Sequence, residues 1–181
     1  MNTDTNIKKA VSERLQLAEG DIVNIILEDH KPLKKLIEVM KDSDRTADER
    51  FRAFKEFAPT LVAHAKPEEE ILYTYMKKED QLREEGFEGD VEHQIADQLL
   101  EEIKRTTDED LRSARIKVLA ELVEHHIEEE EEELLPNFKK YSEQKVRFDL
   151  GNRFLEFKLK YLAVGDDNII PDPKAEKLLQ H

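Results

Sequence analysis

Cysteine and tryptophan are both absent from the 181 residues of this chain. Without cysteine there is no disulfide, no thiolate zinc site, no iron–sulfur ligation and no thiol nucleophile. The absence also agrees with a reducing compartment. Glycine and proline are scarce, with 5 and 6 copies, which favours long helices over loops and leaves no Gly-rich phosphate loop. No stretch approaches the ~20 consecutive apolar residues of a membrane span. The opening MNTDTNIKKAVSERLQL lacks the apolar run of a signal peptide. A cytoplasmic location is therefore expected. Positive charge is the other shortage: 29 Lys and Arg face 43 Asp and Glu, for a net charge of −14. Such a surface repels nucleic acid and anionic lipid, so neither is expected as a partner.

What is present reads as helix. Charged residues make up 40% and hydrophobic ones 38%, the balance of amphipathic helices with solvated outer faces. A short amphipathic segment, expected within 1–19, precedes Gly20. Val23, Ile26, Leu27, Leu33, Ile37 and Met40 then recur at helical spacing. Lys41-Asp-Ser-Asp-Arg-Thr breaks that pattern and offers Asp44 or Thr46 as the next N-cap. The second helix carries Phe54, Phe57, Leu61, Ile71 and Leu72, with Pro59 and Pro67 expected to kink it. The stretch Gly86–Gly89 reads as a loop closing the first half. Helix three follows with Ile95, Leu99, Leu100 and Ile103. Helix four runs from Leu111 through Val118, Leu119, Leu122, Val123 and Ile127 to Leu135, and Pro136 is its expected stop. The fold class is all-α: an up-and-down four-helix bundle over 20–136 with an additional C-terminal helix over 137–162 and a tail over 163–181. That last helix has two apolar stripes. One is Val146, Leu150, Phe154, Phe157 and Tyr161, and the other is Phe148, Leu155, Leu159 and Leu162. Two stripes fit either a helix packed deeply on both sides or a homodimer contact through this helix, which would use the second stripe.

Five histidines fall inside the helical region: His30, His64, His93, His125 and His126. The spacing from His30 to His64 is 34 residues, and from His93 to His126 it is 33. His64 opens HAKPE, with Glu68 four residues on, and His126 opens HIEEE, with Glu130 four residues on. One helix pair thus repeats the other at an offset of 62 or 63 residues. A single histidine on an apolar face is usually an ordinary core residue. Four of them, one per helix and each among apolar neighbours, point to a shared centre. Two ionised glutamates buried beside them need compensation, which divalent cations supply. His30, His64, Glu68, His93, His126 and Glu130 are therefore the expected metal ligands, and imidazole with carboxylate suits iron, zinc or manganese. His125, on a face with Glu121 and Glu128, is expected at the surface or in an outer layer. Of Glu128–Glu133 only Glu130 is placed to bind metal. Tyr73 and Tyr75, close to the site in sequence, read mainly as packing residues, with a redox or hydrogen-bonding role as the alternative.

Asp29-His30, HAKPEEEILY from His64, Glu92-His93 and HHIEEEEEELLP from His125 together resemble the hemerythrin-like, HHE cation-binding family over about residues 20–136. The resemblance implies a carboxylate-bridged pair of iron ions with an oxo or hydroxo bridge, and so iron over zinc or manganese. It implies binding or sensing of O2 or NO, or iron handling. A di-iron enzyme acting on peroxide or NO, or in iron–sulfur repair, is the alternative within the family. A metal-free helical interaction protein is the alternative outside it. Hemerythrins proper use five histidines, the fifth lying four residues after the third-helix one. Here that position is Asp97, which could fill an open coordination place. The four-His, two-Glu set is more similar to di-iron proteins of nitric oxide stress, which carry an additional cysteine-bearing domain that this chain lacks.

Overall fold

The computed structural model describes residues 20–164, and their side chains through 159. The expected N-terminal segment, most of the tail, His181 and the side chains of Tyr161 and Leu162 lie outside the described residues. Five long helical elements in chain order build the molecule, and no strand occurs among the described residues. Helix α1 spans Ile22–Lys41, and α2 spans Ala47–Pro67, continuing through a π-helical segment Glu68–Tyr73 and a last turn Thr74–Met76. Helix α3 spans Arg83–Arg105. Helix α4 spans Glu109–Glu129 and continues through a second π segment, Glu130–Leu134, into Leu135–Tyr141. Helix α5 spans Gln144–Val164.

Local chemistry sets the helix ends. Asp21 caps α1 by accepting from the Val23 amide at 3.1 Å. Thr46 rather than Asp44 caps α2, in a reciprocal capping box with Glu49. Asp108 caps α4 through the Leu111 amide.

Two expectations about breaks are corrected. Gly86 and Gly89 do not form a loop; both are buried inside α3, and the turn falls earlier, before Arg83. Their small size serves close approach. A Cβ on Gly86 would lie 3.0 Å from the Met76 Cβ, and one on Gly89 would lie 2.6 Å from the Tyr73 ring. Pro136 does not end the fourth helix, because it follows a π segment directly, where the widened turn has already interrupted the regular i→i−4 ladder. Pro59 likewise lies within α2, and Pro67 immediately precedes the first π segment.

Helix α1 packs along α2 and α4, α3 packs along α4 and the first π segment, and α5 lies across α1 and α2. The core has two apolar clusters. One gathers Leu33, Ile37, Phe54, Phe57, Leu100 and Leu119. The other gathers Ile22, Ile26, Leu72, Met76, Phe138 and Phe154. His30 lies in sequence between Ile26 of one cluster and Leu33 of the other, and His64 lies between Leu61 and Ile71. A polar layer is thus held between two oily ones. On α5, Leu150 and Phe154 are buried, while Phe148 of the second stripe is 40% exposed. Several residues of the expected helix faces also point outward: Ile95, Leu111 and Val118 are about half exposed.

Candidate metal centre

All six expected residues are in that middle layer, none more than 4% exposed. The other buried polar residues among those described are Asp21, Thr106 and Arg147, of which Asp21 and Arg147 pair with each other at 2.6 Å. The six leave several inward-facing atoms unpaired. His30 Nε2, His64 Nε2, both oxygens of Glu68 and Glu130 Oε2 are buried without a hydrogen-bond partner.

These atoms converge. His30 Nε2 lies 3.2 Å from Glu130 Oε2, and His64 Nε2 lies 3.2 Å from Glu68 Oε2. Across the layer, His93 Nε2 lies 3.7 Å from Glu68 Oε2, and His126 Nε2 lies 3.6 Å from Glu130 Oε2. The histidines form two edge-to-face pairs, His30 with His64 and His93 with His126, at ring separations of 5.0 and 4.7 Å. Two overlapping groups result, each with ligand atoms within 4.8 Å of one another: His30, His64, Glu68 and Glu130, and then Glu68, His93 and His126. Glu68 belongs to both.

The opposite edge of each ring faces a carboxylate. His30 Nδ1 meets Glu131 at 2.9 Å, His93 Nδ1 meets Glu69 at 3.2 Å, and His126 Nδ1 meets Glu92 at 2.6 Å. His64 Nδ1 faces Asp29 at a longer 3.7 Å. A proton held on Nδ1 leaves the Nε2 lone pair aimed inward, the tautomer that binds a cation. The four acceptors obey the internal repeat. Asp29 and Glu92 directly precede a histidine, and each serves the histidine of the next helix. Glu69 and Glu131 directly follow the inner glutamates, and each serves the other half. Lys34 binds Glu131 at 2.6 Å, Lys66 binds Glu69 at 2.7 Å, and Lys158 of α5 binds Asp29. All four carboxyls sit below the usual carboxylate range. Burial opposes this at Asp29, Glu69 and Glu131; the nearby His64 ring and Lys158 outweigh it at Asp29, hydrogen bonds from His93 and Lys34 do so at Glu69 and Glu131, and at Glu92 the bond from His126 leads.

The inner groups are divided. Burial pushes the Glu68 carboxyl well up, and the nearby Glu130 charge adds to it. Burial acts the same way on Glu130, but His126, His30 and His64 override it and hold that carboxyl ionised. Burial lowers His64 to about 4, against the pull of Asp29. A second inward group of the polar layer is Tyr73. Its hydroxyl donates to Glu130 Oε1 at 2.8 Å and lies 3.4 and 3.5 Å from the Nε2 atoms of His93 and His126. Burial beside Glu130 keeps this phenol protonated.

For Tyr73 the hydrogen-bonding alternative holds rather than the favoured packing role, and the four outer carboxylates are not singled out by the sequence. Their signal was adjacency: Asp-His, Glu-His and two Glu-Glu pairs at the repeat positions. Tyr75, in contrast, does pack, edge-on against Phe138. Asp97 is turned to Lys66 at 2.6 Å and is not among the clustered ligand atoms. His125 is 66% exposed and faces Glu129.

A helical bundle whose middle layer gathers buried histidines and glutamates defines a metal-binding helical protein. The family model described as the hemerythrin HHE cation binding domain matches residues 21–138, and the chain belongs to that family. Comparison with curated proteins and with solved structures gives no match.

Proposed function

We propose that the chain is a non-haem di-iron protein that binds or senses a small molecule such as O2 or NO, or handles iron. The observation that carries this reading is the set of buried, unpartnered ligand atoms on His30, His64, Glu68 and Glu130 beside the His93–His126 pair. Leaving two carboxylates uncompensated in an apolar interior is costly, and two divalent cations remove the cost. His30, His64 and Glu130 would hold one ion and His93 and His126 the other, with Glu68 in reach of both. The donor types suit iron, zinc and manganese alike; the family favours iron. Bound there, the ions supply Lewis-acid and one-electron chemistry with coordination positions left for a small ligand.

The chain's own residues shape the surroundings of the site. Leu61, Ala65, Ala96, Leu122 and Val123 wall a niche of about 10 Å³ against His93 and His126. Such a space is about what a single water needs. Tyr73 places a phenol proton on Glu130 within reach of the same two imidazoles, which positions that carboxylate and offers a hydrogen bond to a ligand bound nearby. Anaerobic loading with ferrous iron followed by O2 is the test. Growth of a near-ultraviolet charge-transfer absorption, absent from His64→Ala, is expected. A protein that stays colourless and retains no iron rejects the reading.

A further inference from the structure

The internal repeat pairs each residue of α1 with one 63 positions later in α3, and each residue of α2 with one 62 later in α4. At the centre the two halves match. One turn away they diverge. Ile22, Ile25 and Ile71 are buried in an apolar cluster with Leu150 and Phe154 of α5. Their counterparts in the second half are Glu85, Glu88 and Glu133. Among the described residues no further helix covers them. They line an open cleft of about 60 Å³ between α3 and α4, together with Glu92 and Glu129, and the inner end of the cleft is formed by His126 and Glu130.

No lysine or arginine lines this cleft. Glu85 accepts from the Asn137 side-chain amide at 2.7 Å through one oxygen, while its other oxygen is buried with no partner. Glu130, 1% exposed, brings a second unpartnered oxygen to the inner end. Burial and the charges of Glu92 and Glu129 raise the Glu88 carboxyl, the mark of mutual repulsion among these side chains. A run of unneutralised oxygen donors leading from solvent to a buried carboxylate attracts cations, and low-dielectric walls concentrate the field along it. The equivalent path in the first half is closed by isoleucine and by α5.

We propose that the glutamate-lined cleft between α3 and α4 is the path by which divalent metal ions reach the centre. This rests on the two-metal reading above, and it adds a direction: ions arrive on the His93–His126 side, and the His30–His64 position fills through it.

The experiment measures ferrous iron uptake by metal-free protein under anaerobic conditions, with free iron trapped by a chelator at timed intervals. Wild type is compared with the triple variant Glu85→Gln, Glu88→Gln, Glu133→Gln. A control triple variant, Glu38→Gln, Glu56→Gln, Glu121→Gln, alters net charge equally at exposed positions away from the cleft. The cleft variant is expected to load roughly ten-fold more slowly at low ionic strength. The difference should shrink at high salt, while final iron content matches wild type and the control loads at the wild-type rate. Equal rates for the two variants, with wild-type iron content in both, overturn the path and leave the centre intact. A wild-type protein that takes up no iron overturns the centre, and the path with it.

Discussion

Glu68 and Glu130 occupy equivalent positions and are oppositely tuned. Both are fully buried, yet His126, His30 and His64 hold Glu130 down, while burial and the charges of Glu130, Asp29 and Glu69 push Glu68 up. For Glu68 the folded chain holds the proton above the ordinary value of 4.5, where the unfolded chain releases it. Its burial therefore destabilises metal-free protein as pH rises above that value, and the penalty is absent below it. Glu68→Gln should raise metal-free stability at pH 7 by about 1–3 kcal/mol, with the gain vanishing near pH 4, and should lower metal content. Denaturant titrations at both pH values check this, and a variant less stable than wild type at pH 7 contradicts it. His64 carries the reverse sign. Its folded value is about 4 against an ordinary 6.5, so between those values only the unfolded chain binds the proton. Metal-free protein should lose stability as pH falls through that window. From pH 7 to 5 wild type should lose roughly 2 kcal/mol more than His64→Gln. The raised His126 acts in the opposite direction in both proteins and largely cancels in the difference. Parallel curves for the two proteins would remove the buried-imidazole account.

At the scale of elements, the two π segments begin at the two inner glutamates. Widening a helical turn brings consecutive side chains closer to one face. Here it lets Glu68 face the centre while Glu69 reaches His93, and it does the same for Glu130 and Glu131. Deleting the exposed Glu70 should restore a regular α turn. A folded protein of near wild-type helicity by circular dichroism that binds less metal is expected. Unchanged metal binding would show that the π segment is incidental. None of this was legible in the sequence, because EEEIL and EEEEL look like any solvated helix face. Periodicity did reveal the helices, since their buried stripes are regular, and Thr46 was among the caps it offered. It misplaced Gly86, Gly89 and Pro136, which act through contacts made by the folded chain. Glycine reads as a turn until Tyr73 is seen to need the space.

Across the whole molecule, the six inner residues were readable because a repeat of 62 to 63 residues constrains them together. The outer carboxylates were hidden by abundance: with 43 acidic residues, no single glutamate stands out. Only packing distinguishes Glu131, which holds His30, from Glu132, which is exposed. The same packing places α5 over one half, while no further helix among the described residues covers the other, so a nearly two-fold polar layer sits in an asymmetric shell. No helix among the described residues is long and apolar enough to cross a membrane. The most direct test of the central claim is the metal content of purified protein expressed with iron supplied. About two irons per chain are predicted for wild type, and close to none for Glu68→Ala combined with Glu130→Ala. Wild-type protein without metal, or a double variant holding as much as wild type, would contradict the account.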